Sequence, residues 1–473
     1  MSDKLLHWID NEQVDSADGA SVTTHSPVTG EPMTTLASGG EREVSLAVAA
    51  ASAAAPLWRN TDAKQRGRLL HALSVAIREN SQSLADDEIA ETGKPRSTAL
   101  SEIANSADYF EYYAALVHLP AGEVINTKAT EHTFTIREPI GVVAVITPWN
   151  VPLNQAARAC APALAAGNTV VIKPAEVTSR TTIRLAKLMG EVGIPAGVFN
   201  VVLGKGSVAG DALVRQDAVR KVAFTGSVGV GRLIGKIAAD RIIPVTLELG
   251  GKSANIVFAD ADLDAAASET VRAFTSNAGQ VCSAGTRLLV QSSIREEFLA
   301  KVVEQARTLS LGSDVGPLIT RDQYLKVQEH LNLAPTEHAE TLLGGIGATS
   351  DNAVGNYIPP TIYATQNSNS RIATEEIFGP VLVAITFESD EEAIRITNDS
   401  DYGLIAGVWT RDISRALTVA RSLEVGQVFV NTWSTGAVET PFGGVKESGY
   451  GREKGIEALH HYTQLKCVVI ATV

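Results

Sequence analysis

The sequence has little cysteine: Cys160, Cys282 and Cys467 lie far apart in 473 residues, and their number is odd. A disulfide framework is therefore not expected, and a reducing compartment is. There is no surplus of positive charge. Lysine and arginine total 40 against 53 aspartates and glutamates, a net charge of −13. A phosphate-backbone binder needs a basic footprint, so a nucleic-acid partner is not expected. No apolar run approaches the ~18 residues that span a bilayer as a helix. The opening stretch, Met1 to Asp10, holds no hydrophobic leader. The histidines show no ligand spacing. Asp260-Ala-Asp262-Leu-Asp264 begins like a calcium loop, but Ala265 replaces the required glycine and Val271 the closing glutamate. No metal site is expected. Internal repeats, a P-loop and a serine-hydrolase elbow are also missing. The expectation is a cytoplasmic protein without nucleic-acid, membrane or metal partners.

What is present is an ordinary globular composition, 45% hydrophobic and 20% charged, long enough for two or three domains. From about residue 140, short apolar β-type runs alternate with helical patterns. Strands are predicted at 141–147, 169–172, 198–203, 221–224 and 242–247, with helices at 153–166, 181–192 and 230–240 between them. Strands apolar on both faces and separated by helices indicate a parallel sheet. A second series follows at 254–258, 287–290, 381–387, 408–410 and 428–430, and Gly250-Gly251 between the two is the candidate hinge. The first 118 residues read as mostly helical. The segment 130–137 reads as a β-ribbon. The tail, 460–473, ends in an apolar strand that needs a covering partner, so a second subunit is expected.

Several motifs sit at strand ends. Gly204-Lys-Gly206-Ser-Val-Ala-Gly210 resembles a dinucleotide fingerprint with one residue too many. Phe224-Thr225-Gly226-Ser227-Val-Gly-Val-Gly231 is the better phosphate candidate, because helix N-terminal N–H groups and a serine hydroxyl suit an anion. Its alternative is a helix capped by Ser227. Glu176, in Lys173-Pro-Ala-Glu176, is placed to hold ribose hydroxyls and repel a 2′-phosphate, or to make a surface salt bridge. Cys282 is either an inert core thiol or a nucleophile with small residues around it. Cys160 and Cys467 read as inert core residues. Glu248 closes an apolar strand, which suits a desolvated general base or a salt bridge to Lys252. Asn150, between Pro148 and Pro152, is either an oxyanion donor or a turn residue.

Eight motifs in this order resemble the aldehyde dehydrogenase superfamily, from about residue 10 to the end. They are PWN at 148–150, KPAE at 173–176, GIPAGVFNVVLG at 193–204, FTGS at 224–227, LELGGK at 247–252, GQVC at 279–282, EEIFGPV at 375–381 and PFGGVKESGYGRE at 441–453. The resemblance implies an α/β architecture: a Rossmann-like parallel-sheet cofactor domain in two parts (1–119 and 139–249), an oligomerisation ribbon (120–138), an α/β catalytic domain (250–447) and a C-terminal oligomerisation arm (448–473). A homodimer or homotetramer is implied.

It also implies roles. Cys282 matches the nucleophile, Glu248 the general base and Asn150 the side-chain oxyanion donor. Lys173 and Glu176 match adenosine-ribose contacts, Gly206 a residue beside the adenine and Ser227 a pyrophosphate contact. Phe224, Thr225, Gly226, Gly231 and Leu249 belong to the same cofactor site, as does Trp149 near the pyrophosphate. Glu376 matches the carboxylate on the nicotinamide ribose, and Phe378 packs near the nicotinamide. The implied reaction is NAD-dependent oxidation of an aldehyde to its acid, with water as second substrate. NADP is the less favoured cofactor. Family members that release an acyl-CoA lack the glutamate matching Glu248, so hydrolysis is implied.

Val151, Asn154, Gln155 and Arg158 match substrate-tunnel positions, and Trp433 and Phe442 are candidates for an apolar pocket wall. Arg158 falls where semialdehyde, lactaldehyde and aromatic-aldehyde members carry Arg. The second Arg of semialdehyde members is Ser276 here. The expected substrate is therefore a medium-sized aliphatic or aromatic aldehyde. The alternatives are a semialdehyde held by Arg158, an esterase or thioesterase using the same Cys and Glu, and a non-catalytic protein on the same fold.

Overall fold

A computed structural model describes residues 4–119, 121–347, 355–433 and 436–472. The start at Met1 and the final residue of the tail fall outside it. Its first sheet has eight strands in the order Glu12–Val14, His7–Ile9, Phe199–Val201, Thr169–Lys173, Val142–Ile146, Val219–Thr225, Val245–Glu248 and Gly449–Tyr450. The five inner strands run parallel. Runs such as Val-Val-Ala-Val-Ile at 142–146 are buried at every residue, because helices cover both faces. The order reverses beside Val142–Ile146: the next two strands step one way, and the later pair the other. Ligands bind outside the carboxyl ends of strands at such a switch point. The loops leaving Val142–Ile146 and Val219–Thr225 carry Trp149, Asn150, Gly226 and Ser227.

The second sheet has seven strands: Glu340–Leu343, Thr361–Thr365, Val381–Phe387, Arg287–Gln291, Ala254–Val257, Ile405–Trp409 and Gln427–Val430. All its pairs are parallel except the first. Helix Pro152–Ala165 starts with proline at its first turn, where the missing N–H is no loss. Nearly all of it is buried, and it packs on helix Arg96–Ala115.

The structure departs from the sequence reading in five places. The first 118 residues are not mostly helical at their start. His7–Ile9, Glu12–Val14, Ser21–His25 and Pro32–Ala37 are strands. They are too short or too polar to carry a periodic signal. Asp10 and Asn11 both have positive φ, 55° and 61°, the residues a two-residue hairpin turn demands. The strand predicted at 242–247 begins at Val245, because Ile242 has a φ of 55° and is 92% exposed. Ile405–Trp409 starts three residues before its expected position. The strands Glu340–Leu343 and Thr361–Thr365 were not anticipated. Cys467 is exposed, not a core residue, whereas Cys160 is fully buried.

The tail strand Thr463–Ala471 finds its partner within the chain. It pairs antiparallel with Glu131–Pro139 along its whole length, and Val124–Ile125 adds a third strand. Leu465, Val469 and Ile470 of the tail stay exposed. The carboxylates that resembled a calcium loop have structural duties. Asp262 caps helix Leu263–Thr275, and Asp260 accepts from Thr410, Arg411 and Asp412 while pairing with Arg415. Among the described residues no helix is long and apolar enough to cross a membrane.

Candidate active site

Cys282 follows a tightly bent segment. Asn277 and Ala278 have left-handed backbones, and Gly279 has a φ of 71°. A Cβ on Gly279 would lie 2.1 Å from the Gly379 carbonyl, so no other residue fits there. Half-buried Cys282 lines two cavities at once. Burial pushes its thiol up to about 11; Arg158 pulls it down, and Glu248, Glu376 and Glu453 push it further up.

The larger cavity, about 510 Å³, is lined by Cys282, Asn150, Val151, Asn154, Gln155, Arg158, Trp433 and Phe442. The tunnel candidates thus converge on one space. Polar Asn105, Tyr109, Asn154 and Arg158 line it together with apolar Ala273, Val281, Trp433 and Phe442. Asn154 donates to Asn105 at 2.7 Å. Arg158 is buried and pairs through Nε with buried Glu453, and its guanidinium lies over the Phe442 ring at 4.7 Å. Its Nη2 has no partner among the described residues. Ser276 also lines this cavity.

The smaller cavity, about 180 Å³, joins Cys282 to Trp149, Thr225, Gly226, Ser227, Glu248, Leu249, Glu376 and Phe378. Glu248 ends the strand Val245–Glu248 and is 1% exposed. Neither of its carboxylate oxygens has a partner. The salt bridge to Lys252 considered from sequence does not form: the Lys252 ammonium is also unpartnered, and burial drives it down to about 7. Burial, with Glu453 nearby, holds the Glu248 carboxyl well above the usual carboxylate range, against the pull of Arg158 and Arg452. The bare Cα of Gly443 leaves its oxygen room; a Cβ there would lie 2.7 Å from Oε1. Glu376 accepts from the Gly251 N–H at 3.1 Å, and burial raises its carboxyl too. Phe378 meets Trp149 edge-on at 5.4 Å. Its left-handed backbone (φ 58°) is held by Gln323, which donates to the Ile377 and Phe378 carbonyls.

A dinucleotide fits this crevice on two observations. Ser227 takes the N-cap position of helix Val228–Asp240 but makes no capping bond, so the first helical N–H groups stay open to an anion. Gly231 lets Leu249 pack against that helix; a Cβ there would lie 2.6 Å from the leucine. The remaining cofactor candidates gather one strand away. Buried Lys173 donates to the Gly204 carbonyl at 3.2 Å and lies 3.5 Å from Glu176, with Gly206 alongside. Phe224 is buried beneath, and a Cβ on Gly226 would strike its ring.

Sequence reasoning overlooked several residues that line the two cavities or pack behind them. Glu453 lay inside a quoted motif, and its burial opposite Arg158 was the missing fact. Lys94, Tyr109, Asn277, Gln280 and Gln323 carried no chemical signature, since each acts through contacts between distant segments.

An open switch-point crevice, meeting a second cavity at a cysteine, defines a dinucleotide-dependent oxidoreductase. The chain belongs to the aldehyde dehydrogenase family, whose model matches residues 14–468. It is similar to a hydroxyisobutyraldehyde dehydrogenase of Mycolicibacterium austroafricanum, 41% identical over 98% of this chain and 93% of that one. It is 40% identical to a betaine aldehyde dehydrogenase of Bacillus subtilis, over 98% of this chain and 96% of that one. A crystal structure of the Staphylococcus aureus betaine aldehyde dehydrogenase with NAD+ superposes with a TM-score of 0.96 at 36% identity, covering 99% of this chain and 94% of that one. The protein is an NAD(P)-dependent aldehyde dehydrogenase. The non-catalytic reading of the fold is set aside.

Proposed function

We propose that the protein oxidises an uncharged, medium-sized aliphatic or aromatic aldehyde to its carboxylic acid through a covalent adduct on Cys282. The observation that carries this is that one cysteine lines both a substrate-sized cavity and the cofactor crevice. The Cys282 thiolate adds to the aldehyde carbonyl, giving a thiohemiacetal whose oxyanion takes a hydrogen bond from the Asn150 carboxamide. NAD held in the crevice would supply the hydride acceptor, and loss of hydride from the adduct carbon would leave a thioester on Cys282. Glu248 takes a proton from water as that water attacks the thioester; the C–S bond breaks, the acid is released, and Cys282 leaves as the thiolate, with the proton on Glu248 passing to solvent. Among the described residues neither Glu248 oxygen has a hydrogen-bond partner, which supports this role. Lys173, Glu176, Gly206 and the Gly226–Gly231 turn would hold the adenosine and phosphates, and Glu376 the second ribose. Glu176 supports a preference for NAD over NADP.

The Arg158–Glu453 pair supports an uncharged substrate. The guanidinium that a substrate carboxylate would need already faces a carboxylate, and Ser276 supplies no second cation. A second reading, a semialdehyde substrate, is favoured by the unpartnered Nη2 of Arg158. NADH release across aliphatic, hydroxylated, aromatic and carboxylate-bearing aldehydes of matched length separates the two. The first reading expects neutral aldehydes to lead in kcat/KM; carboxylate-bearing aldehydes in the lead would establish the second. Cys282→Ser is expected to abolish NADH formation, and full retention would refute the covalent route. The exposed apolar side chains of the tail strand support a homodimer or homotetramer, and the unpaired cysteines a cytoplasmic setting.

A further inference from the structure

Asn150 does two separate things. Its carboxamide points toward the nucleophile loop, and its backbone carbonyl is held from the other side. Lys94 Nζ donates to that carbonyl at 3.2 Å, and Asn277 Nδ2 donates to the same oxygen at 2.9 Å. We propose that Lys94 and Asn277 are positioning residues that grip the Asn150 peptide and so aim its carboxamide at the oxygen of the Cys282 adduct. The proposal rests on the reading of Asn150 as the oxyanion donor.

Lys94 reaches the site from a third segment. Helix Ser81–Thr92 ends at Gly93, whose φ is 68°, and Pro95 precedes helix Arg96–Ala115. Lys94 is 2% exposed. Burying an ammonium is unfavourable unless all its protons are placed. Its three acceptors are Glu102, Glu88 at 3.5 Å and the Asn150 carbonyl. One carboxylate suffices to neutralise the charge, and Glu102 and Glu88 take two of its protons. The third donor is directed at the loop that carries the oxyanion donor.

The second grip closes a ring. Asn150 Nδ2 donates to the Gln280 carbonyl at 2.8 Å, and Asn277 Nδ2 reaches that carbonyl at 3.3 Å. Gln280 Nε2 donates to Asn277 and Pro317, and its Oε1 accepts from Ile319 N–H at 2.9 Å. A Cβ on Gly93 would lie 2.5 Å from Pro317, so the Lys94 turn packs on that same segment. Asn277 and Ala278 keep left-handed backbones, which non-glycine residues adopt only where their surroundings over-determine them. The ring therefore ties the loop after Val142–Ile146 to the loop before Cys282. These two loops come from different sheets, and each supplies one reacting group.

A thermodynamic cycle tests this. The variants are Lys94→Met, Asn150→Ala and the double, and then Asn277→Gly alone and with Asn150→Ala. Glycine keeps the left-handed backbone while removing the donor. Each is assayed for kcat/KM with aldehyde, NAD affinity by fluorescence, and thermal midpoint. Asn150→Ala is expected to lose about 100-fold or more in kcat/KM. Lys94→Met and Asn277→Gly are each expected to lose about 10- to 100-fold in the native background, the size of a sub-ångström to ångström misplacement, and less than about 2-fold in the Asn150→Ala background. NAD affinity should stay within about 2-fold. An equal loss in both backgrounds would mean a merely structural role and overturns the proposal. A negligible loss in Asn150→Ala alone would instead overturn the oxyanion reading beneath it. If Lys94→Met fails to fold, the Asn277→Gly half of the cycle decides.

Discussion

Replacing Arg158 by methionine should be among the most destabilising single changes near the site. Arg158 and Glu453 are 6% and 3% exposed, and they pair with each other. Removing the cation strands the Glu453 carboxylate in the interior beside Glu248. Breaking a buried pair from one side typically costs about 3–5 kcal/mol. At roughly 2 °C per kcal/mol for a unit of this size, the thermal midpoint should fall by at least ~6 °C. The double variant Arg158→Met/Glu453→Leu removes both charges and keeps most of the volume, so its midpoint should return to within about 2 °C of the parent. Scanning calorimetry of the parent, both singles and the double reads this directly. A second readout is kinetic. Glu453 raises the Glu248 carboxyl more than Arg158 lowers it. Losing both should shift the rising limb of the pH–rate profile to lower pH. A single variant that melts with the parent, or a double as unstable as the single, would refute the account of this pair.

Three further outcomes follow from the carboxylates. Because burial lifts Glu248 above the ordinary carboxylate range, its basic form appears only as pH rises past that range, so deacylation should fall on acidification. In Glu248→Gln, single-turnover NADH formation should persist while steady turnover drops by about 100-fold or more; unchanged steady turnover would remove Glu248 from the mechanism. Glu176→Gln should raise kcat/KM with NADP relative to NAD by about 10-fold, measured by initial rates with each cofactor; an unchanged ratio would place cofactor choice elsewhere.

Sequence exposed the parts of this protein that repeat a local rule. Val142–Ile146 and Thr169–Lys173 are apolar on both faces, and that pattern alone announces a covered parallel sheet. Cys282, Glu248 and Asn150 could be named because each lies at a strand end or in a small-residue loop with a recognisable motif around it. Sequence did not expose what depends on packing across the chain. Trp8 meets the first sheet at Val201 through a three-residue strand, too brief for any period. Glu453 acquires its meaning from Arg158, nearly 300 positions earlier. Lys94 is one lysine among many until the fold buries its ammonium against the Asn150 carbonyl.

One edge of the first sheet has a consequence for how the protein is made. The strand Gly449–Tyr450 lies antiparallel to Val245–Glu248, with Gly449 opposite Glu248, and Glu453 follows three residues on. During synthesis the ribosome must deliver some two hundred more residues after Glu248 before that edge can close. Until then the nascent chain exposes an unpaired β-edge beside Glu248, a surface open to chaperones and to wrong pairings.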